Sequence, residues 1–306
     1  MVDSGYDEDF AVAVTGASSY IGPIIPPSIS AVVFAVASGV SIGQMFIGGI
    51  IPGLVMALTL MVYIFIVSKK RNYPRTPFPK ARELGKSFIQ SFPALLTPVI
   101  ILGGITLGFC TPTEASVVAV VYAIILGFLS KDLKLRDIPG ILDDTVVLTM
   151  AVLFIISCAN SFGYIITTAQ MPQKLATAFL GVVTNKYVAL ILINIFLLIV
   201  GMLMESLSAL VILVPILMPV ITAVGIDPLH FGIIMILNIT IGMLTPPVGM
   251  VLFTLTGVSS RNFEQITKAM MPFLFINIIV LLIVTFCPPL VTFLPGAADV
   301  REKERI

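Results

Sequence analysis

Residues 242–249 read Gly-Met-Leu-Thr-Pro-Pro-Val-Gly and interrupt an apolar stretch that is otherwise long enough to cross a membrane. A second interruption, at residues 22–28, reads Gly-Pro-Ile-Ile-Pro-Pro-Ser, and the two align at an offset of 220 residues, so that their Pro-Pro pairs coincide. Proline removes a backbone donor and clashes with the preceding helical turn, so each interruption predicts two half-helices. Broken spans at corresponding positions of two halves of a chain are typical of secondary transporters.

The composition excludes a soluble domain. Of the 306 residues, 58% are hydrophobic and only 11% are charged, which leaves too few polar side chains to cover a water-facing surface. The net charge of +1 is uninformative about nucleic acid, and the sequence has no basic patch with interleaved aromatic residues, so no nucleic-acid partner is expected. We therefore predict an all-α polytopic membrane protein surrounded by a lipid bilayer.

The apolar stretches predict the topology. Seven of the 17 Lys and Arg residues lie between residues 69 and 86, so this loop is expected to be cytoplasmic. The loop that contains Met171-Pro172-Gln173 has few charges and is assigned to the outside. The predicted spans comprise two broken segments at 10–38 and 230–257, unbroken spans at 44–67, 88–107, 113–129, 145–169 and 270–287, and a re-entrant helical hairpin at 187–220. The first broken segment then begins inside and the second outside, so the two copies form an inverted repeat.

This count predicts the following organisation. Residues 1–68 form a first, partial repeat, and residues 69–92 a basic cytoplasmic loop. Residues 93–169 form scaffold or connecting helices, residues 187–290 a second repeat, and residues 291–306 a polar tail. A partner of the hairpin at the same offset would begin upstream of Met1. We therefore expect that the chain lacks a first hairpin, either as a fragment or through a misplaced start.

Only two carboxylates fall within the predicted membrane region, and an intramembrane carboxylate costs at least about 2.5 kcal/mol. Glu114 has a structural explanation, because Thr111-Pro112-Thr113-Glu114 matches a capping box with proline at the first helical position. Glu205 has no such signature on its N-terminal side and is followed by Ser206 and Ser208. It is expected either to serve a cation site or to stabilise the hairpin tip by a hydrogen bond.

The breaks supply oxygen ligands for a small hard cation. Carbonyls freed by the proline pairs, hydroxyls and one amide are the candidates, and for a single hydroxyl the alternative is a hydrogen bond to the preceding turn. No transition metal is expected. These candidates are the carbonyls of Gly22 to Ile25 and Gly242 to Thr245, the hydroxyls of Ser18, Ser19, Ser28, Ser206 and Thr245, and the amide of Asn238. The half-helices expected to begin at Pro26 and Pro246 could face an anionic group through their N-termini.

Four motifs resemble the large membrane subunit of TRAP (tripartite ATP-independent periplasmic) transporters, of the DctM type. They are Gly-Pro-Ile-Ile-Pro-Pro-Ser-Ile at 22–29, Gly-Phe-Cys-Thr-Pro-Thr-Glu-Ala at 108–115, Gly-Met-Leu-Met-Glu at 201–205, and Gly-Ile-Asp-Pro-Leu-His-Phe-Gly at 225–232, which leads into Leu-Thr-Pro-Pro-Val-Gly. The resemblance extends over essentially the whole chain. It implies a subunit of the bacterial inner membrane that takes up an organic acid with sodium as coupling ion and without another cofactor.

The resemblance also implies partners, a mechanism and a site. The partners are a small four-helix membrane subunit and a periplasmic substrate-binding protein, and the mechanism is of the elevator type. One sodium site would use the hairpin tip, including Gly201, Glu205, Ser206 and Ser208, together with the break from Gly242 to Gly249. The other would use the break at Gly22 to Ser28 and a first-hairpin tip.

Two alternatives remain open at this stage. One is a sodium-coupled anion carrier of the same superfamily that needs no binding protein. The other is an intramembrane enzyme that uses Glu114 and Glu205 as a carboxylate pair, which would require both to reach one cavity.

Overall fold

The computed structural model describes residues 1–74, 79–170, 174 and 185–303, and in this part of the chain every regular element is helical. Short 3-10 helices lie at Val2–Ser4 and Leu135–Asp137. The α-helices are α1 Glu8–Ser19, α2 Ile29–Ser38, α3 Ile42–Lys70, α4 Ala81–Thr106, α5 Pro112–Leu129, α6 Ile138–Thr168, α7 Lys186–Leu203, α8 Ser206–Ala223, α9 Pro228–Gly242, α10 Met250–Val258, α11 Phe263–Phe286 and α12 Pro289–Lys303.

Seven stretches of helix within the described residues are long and apolar enough to cross a membrane. Six are the helices α3, α4, α5, α7, α8 and α11, and the seventh runs from Leu135 to Cys158, mostly within α6. The prediction of an all-α polytopic membrane protein is therefore confirmed. Both arms of the predicted hairpin are 18-residue helices, α7 and α8; its re-entrant character stays a prediction.

Both predicted helix breaks are present. Residues 20–28 separate α1 from α2, residues 243–249 separate α9 from α10, and both Pro-Pro bonds are cis. The second half-helices begin at Ile29 and Met250, later than the expected starts at Pro26 and Pro246. At α2 the reason is capping: the hydroxyl of Ser28, a preferred N-cap residue, accepts from the amide of Ala31 at 3.1 Å and fixes where this helix begins. Helix α10 has no side-chain cap and begins after Gly249.

One compact unit contains residues 1–74 and 157–306, and α9 is its central helix. Every residue from Leu229 to Gly242 is buried, and α9 contacts α2, α3, α7, α8, α11 and α12. The packing is reciprocal, because α1 contacts α11 just as α9 contacts α3, and α1 contacts α10 just as α9 contacts α2. Two copies of one motif related by a pseudo-two-fold axis would make these contacts.

A second unit contains residues 75–156 and has little core of its own. Helices α4 and α5 form a pair in which the Tyr122 hydroxyl donates to the Pro93 carbonyl at 2.7 Å. On α5 only Ala115 and Ala119 are buried, and α4 has no buried residue. Large apolar side chains such as Phe88 and Val120 are exposed, so lipid or a partner must cover this surface.

Residues 291–306 differ from the predicted polar tail, because α12 continues to Lys303. The apolar run at 290–294 begins this helix, and the buried Val291 lies against Gly48 of α3. Only the end of the segment is polar in sequence, and its first residues belong to a packed helix. The loop with Met171-Pro172-Gln173, residues 75–78 of the basic loop, and residues 304–306 lie outside the described residues.

Charged side chains hold the start of α1 to two other segments of its unit. The Asp7 carboxylate binds the Arg71 guanidinium at 3.0 Å and accepts a hydrogen bond from the Tyr73 hydroxyl, both beyond the end of α3. Arg261, just before α11, binds Glu8 at 3.2 Å and Asp9 at 2.9 Å. The beginning of the first broken segment is thereby tied to the segment that follows the second one.

The Asp7 interactions predict a pH dependence of stability. The hydrogen bond from Tyr73 and the charge of Arg71 lower the pKa of Asp7 below its ordinary 3.8. A lowered folded-state pKa stabilises the fold above the ordinary value, and this contribution is lost as the pH falls through the folded-state pKa. The difference in melting temperature between the wild type and Asp7→Asn should therefore be constant near neutral pH and shrink below about pH 4. Tyr73→Phe should weaken this dependence, and an unchanged difference down to pH 3 would contradict the assignment.

Candidate functional site

The hairpin tip is a tight turn organised by Glu205. Helix α7 ends at Leu203, and Glu205 is the N-cap of α8. Its carboxylate accepts from the Ser208 amide at 3.0 Å, the Ser206 hydroxyl at 3.2 Å and the Ser208 hydroxyl at 3.4 Å. The expected alternative of a tip-stabilising hydrogen bond is therefore observed, and Glu205 has the capping function that its sequence context did not predict.

The tip packs directly on the end of α9. Gly201 of α7 and Gly242 of α9 face each other so closely that a Cβ atom on Gly201 would lie 2.6 Å from the Ile239 carbonyl oxygen. A Cβ atom on Gly242 would lie 2.7 Å from the backbone of Gly201. Only glycine at both positions permits this approach. The C-terminal ends of two helices, each with a partial negative charge, thus meet beside the Glu205 turn.

The second break closes against the same tip. The Gly249 amide donates to the Met202 carbonyl at 3.2 Å, and the Val251 amide donates to the Met243 carbonyl at 3.1 Å. Gly249 has a φ of 61°, in the left-handed region that favours glycine, and it caps α10 without a side chain. The Thr245 hydroxyl donates to the Ile241 carbonyl at 2.9 Å. Gly201, Gly242, Thr245 and Gly249 therefore belong to one local assembly.

Asn238 lies one helical turn before Gly242 and is completely buried. Its amide nitrogen donates to the Asn194 backbone carbonyl at 3.1 Å and to the Asn194 side-chain oxygen at 2.6 Å. Asn194 in turn donates to the Thr285 hydroxyl oxygen at 3.1 Å. The side-chain oxygen of Asn238 has no hydrogen-bond partner among the described residues. The sequence prediction did not include Asn194 and Thr285, because its candidate ligands were confined to the two breaks, the residues just before them and the hairpin tip; an amide within an apolar helix is a further signal.

The first break forms a separate group that rests on α3. The Ser18 and Ser19 hydroxyls donate to the carbonyls of Thr15 and Gly16, as the alternative for single hydroxyls predicts. The carbonyl of Ile24 lies against Gly49 of α3. Further members of this group are Ser28, whose hydroxyl donates to Pro23, and Ile25, whose side chain lies against Gly53.

The two breaks differ in how far they are covered. Gly242 and Asn238 are buried beneath α7, whereas their repeat equivalents Gly22 and Ser18 are exposed. The hairpin thus covers the second break, and the corresponding face of the first break is open within the described residues. Among the predicted cation ligands, those around the second break therefore lie between the hairpin and the broken segment, whereas those around the first break are not covered by a hairpin in the described part of the chain.

Glu114 is placed as its sequence predicts. Its carboxylate accepts from the amide and the hydroxyl of Thr111, both at 2.8 Å, while the Thr111 hydroxyl accepts from the Glu114 amide at 3.3 Å. The capping box at the start of α5 is therefore confirmed. Glu114 belongs to the 75–156 unit and Glu205 to the other unit.

The chemistry of the second break suits a cation such as sodium. A hydroxyl that donates to a carbonyl, as Thr245 does, keeps its oxygen lone pairs for a cation. Carboxylate, hydroxyl, amide and backbone oxygens are the ligands that hard cations prefer. A distinct cavity of about 560 Å³ lies elsewhere, at the start of α1 and α11, and its lining includes Asp7, Arg71, Arg261 and Lys268 but none of the predicted site residues.

Comparison with known proteins identifies a family. Residues 1–290 match the family model of the DctM component of the tripartite ATP-independent periplasmic transporter. The chain is 44% identical over 296 residues to the sialic acid TRAP transporter large permease protein SiaM of Vibrio cholerae, covering 96% of this chain and 69% of the relative. It is 40% identical over 297 residues to the C4-dicarboxylate TRAP transporter large permease protein DctM of Pseudomonas aeruginosa, covering 97% and 70%.

A third relative is longer. The chain is 38% identical over 297 residues to the sialic acid TRAP transporter permease protein SiaT of Haemophilus influenzae, covering 97% of this chain. It spans about half of that relative, namely 48% of its length.

The close approach of α7 and α9 predicts the effect of a single added methyl group. Gly201→Ala or Gly242→Ala would push backbone against backbone and should lower the free energy of unfolding by about 1–3 kcal/mol. Gly257→Ala on α10 is a matched control, because nothing lies within 4 Å of the position of its added Cβ atom. It should be neutral or stabilise by up to about 1 kcal/mol. Thermal unfolding of the purified variants measures the difference; equal melting temperatures would contradict the contact.

Proposed function

Because the chain belongs to the DctM component family of tripartite ATP-independent periplasmic transporters, we propose that it is the permease subunit of a sodium-coupled, binding-protein-dependent system for organic acid uptake. Family membership makes it a multi-pass transport protein of the bacterial inner membrane and excludes the intramembrane enzyme. The sodium coupling, the mechanism, the substrate and the partners are the proposed parts.

One observation carries the sodium proposal: two helix C-termini meet at the Gly201–Gly242 contact, beside the Glu205 carboxylate. Both helix ends favour a cation, and unwound backbone with half-helix C-terminal ends is a recurring cation site in secondary transporters. The oxygens of Thr245 and Asn238 lie on the same break segment or within one turn of it. We propose that this assembly binds the coupling ion and that the hairpin tip closes over it.

The first-break group would form the other cation site. Ser18, Ser19, Gly22, Ile25 and Ser28 carry hydroxyl and carbonyl oxygens, as the second break does. The open face over Gly22 would be covered by a further tip when the site is assembled. This site rests on the internal repeat alone, so the second break is the stronger candidate.

The proposed substrate is an organic acid. Relatives of the chain are named for sialic acid and for C4-dicarboxylates, and both classes carry carboxylates. All Lys and Arg residues lie in predicted loops, segment ends or the tail, so no basic side chain is placed to pair with a substrate carboxylate within the spans. We propose that helix N-termini, including those of α2 and α10, and nearby amides and hydroxyls bind it.

The proposed partners are a small four-helix membrane subunit and a periplasmic substrate-binding protein. The exposed apolar faces of α4 and α5, which have hardly any core of their own, suit contact with lipid and with such a subunit. In an elevator mechanism the hairpin and the broken helices would move as the transport domain, and α4 to α6 would belong to the scaffold.

Counterflow tests the function directly. The native permease, reconstituted in proteoliposomes with its partner proteins, should exchange a labelled organic acid only when sodium is present. Uptake that is indifferent to sodium would overturn the sodium coupling. Uptake that proceeds without any binding protein would favour the binding-protein-independent carrier.

The charge of Glu205 provides a sharper prediction. Glu205→Gln keeps an oxygen that can accept from the Ser208 amide but removes the negative charge. If the charge attracts the coupling ion, the apparent sodium affinity should fall about tenfold, the loss expected for one charge-assisted interaction. Glu114→Gln is the matched control, since Glu114 also caps a helix but lies in the other unit.

Sodium titrations of counterflow distinguish the two variants. The Glu114→Gln variant should keep the wild-type sodium dependence, and the expression of both variants should stay close to the wild-type level. Equal sodium affinity of wild type and Glu205→Gln would leave Glu205 with its capping function alone.

A further inference from the structure

We infer that Asn194 and Thr285 are positioning residues that hold the side chain of Asn238 in one orientation, so that its free oxygen faces the coupling cation. The inference rests on the proposed sodium site and adds two residues to it. Neither residue lies in the hairpin tip or in a break. Asn194 is on α7 and Thr285 on α11, and both are buried.

The orientation follows from the direction of each hydrogen bond. The Asn194 amide nitrogen donates to the Thr285 hydroxyl oxygen, so the Asn194 side-chain oxygen points away from Thr285. That oxygen accepts from the Asn238 amide nitrogen at 2.6 Å. A planar amide that commits its nitrogen to one side presents its oxygen to the other. Thr285, through the Asn194 side chain, therefore acts together with the Asn194 backbone carbonyl to set which way the Asn238 oxygen faces.

The side-chain oxygen of Asn238 is a buried acceptor without a hydrogen-bond partner among the described residues. Asn238 has no exposed surface, and buried polar atoms are generally hydrogen-bonded. Reversing the amide would lose both donor bonds to Asn194 and place the Asn238 oxygen against two acceptor oxygens. The network thus keeps an acceptor unpaired in an apolar interior, as a cation ligand requires.

The position of the network connects it to the proposed site. Asn194 precedes Gly201 by seven residues and Asn238 precedes Gly242 by four, so each asparagine lies on the same helix face as the glycine that follows it. The interface between α7 and α9 therefore contains the Gly201–Gly242 contact near the hairpin tip and the Asn194–Asn238 hydrogen bond further along the same two helices. A change in the amide pair is transmitted to the tip through one helix-helix contact.

Thr285→Val tests the relay, because valine keeps the shape of threonine but cannot accept from Asn194. We expect the apparent sodium affinity to fall by about fivefold to tenfold, the equivalent of one lost hydrogen bond. Thr285→Ser keeps the hydroxyl and should restore the wild-type affinity. Thr240→Val is the matched control, since Thr240 is also buried and its hydroxyl donates only within α9, to the Ile236 carbonyl at 2.6 Å.

Two measurements distinguish a loss of sodium binding from a general loss of protein stability. One is the sodium concentration for half-maximal counterflow, and the other is the sodium-dependent rise in melting temperature, which reports binding without transport. Thr285→Val should shift both, whereas Thr240→Val should shift neither, whatever its effect on the melting temperature without sodium. A Thr285→Val protein that is less stable but has unchanged sodium affinity would overturn the inference.

A second pair of variants decides the matter if Thr285→Val does not fold. Asn194→Asp keeps the acceptor for Asn238 and adds a negative charge, whereas Asn194→Leu keeps a similar shape and removes the side-chain acceptor. Sodium affinity should be kept or raised in the first and lowered in the second, and equal affinities would overturn the inference. If the wild type itself shows no sodium dependence, the proposed function fails; a sodium-dependent wild type with unaffected Asn194 and Thr285 variants refutes the relay alone.

Discussion

The structure depends on one constraint: a broken helix inside a membrane frees backbone polar groups that lipid cannot satisfy. At the second break, the Met202 carbonyl of the hairpin accepts from the Gly249 amide, and within the break the Met243 carbonyl accepts from the Val251 amide, so the hairpin and the break itself supply these partners. Such bonds require close backbone approach, which Gly201 and Gly242 permit. The hairpin, the break and the glycine contact are therefore consequences of a single requirement.

The breaks and the helices could be predicted because proline and apolar length act locally. The capping box at Glu114 was equally accessible, since its four residues are consecutive and each has a preferred type. The cap made by Glu205 was not, because glutamate is not among the preferred N-cap residues and only the turn geometry gives it that position. The contacts of Asn194 with Thr285 and Asn238 join three separate helices, and no local pattern determines such an arrangement.

Equivalent positions of the internal repeat make different interactions in its two copies. Asp227 and Asp7 occupy equivalent positions before a first half-helix, yet Asp227 caps α9 by accepting from the His230 amide at 2.8 Å, while Asp7 binds Arg71 and Tyr73. The offset predicts the equivalence of two positions, but the neighbours that each residue meets decide its interactions. The same holds for Asn238 and Ser18, of which only the first is buried beneath a hairpin.

The two carboxylates singled out by the sequence show why surroundings must decide a functional assignment. Glu114 and Glu205 each accept hydrogen bonds at a helix N-terminus, so capping alone makes them equivalent. Glu205, however, follows a helix whose end meets the end of another helix and a glycine-lined break, and these groups add negative potential at one place. Glu114 is exposed at the start of α5, in a unit with little core. Glu205 is therefore the better candidate of the two for the proposed cation site, because the partial negative charges of two helix ends lie beside its carboxylate.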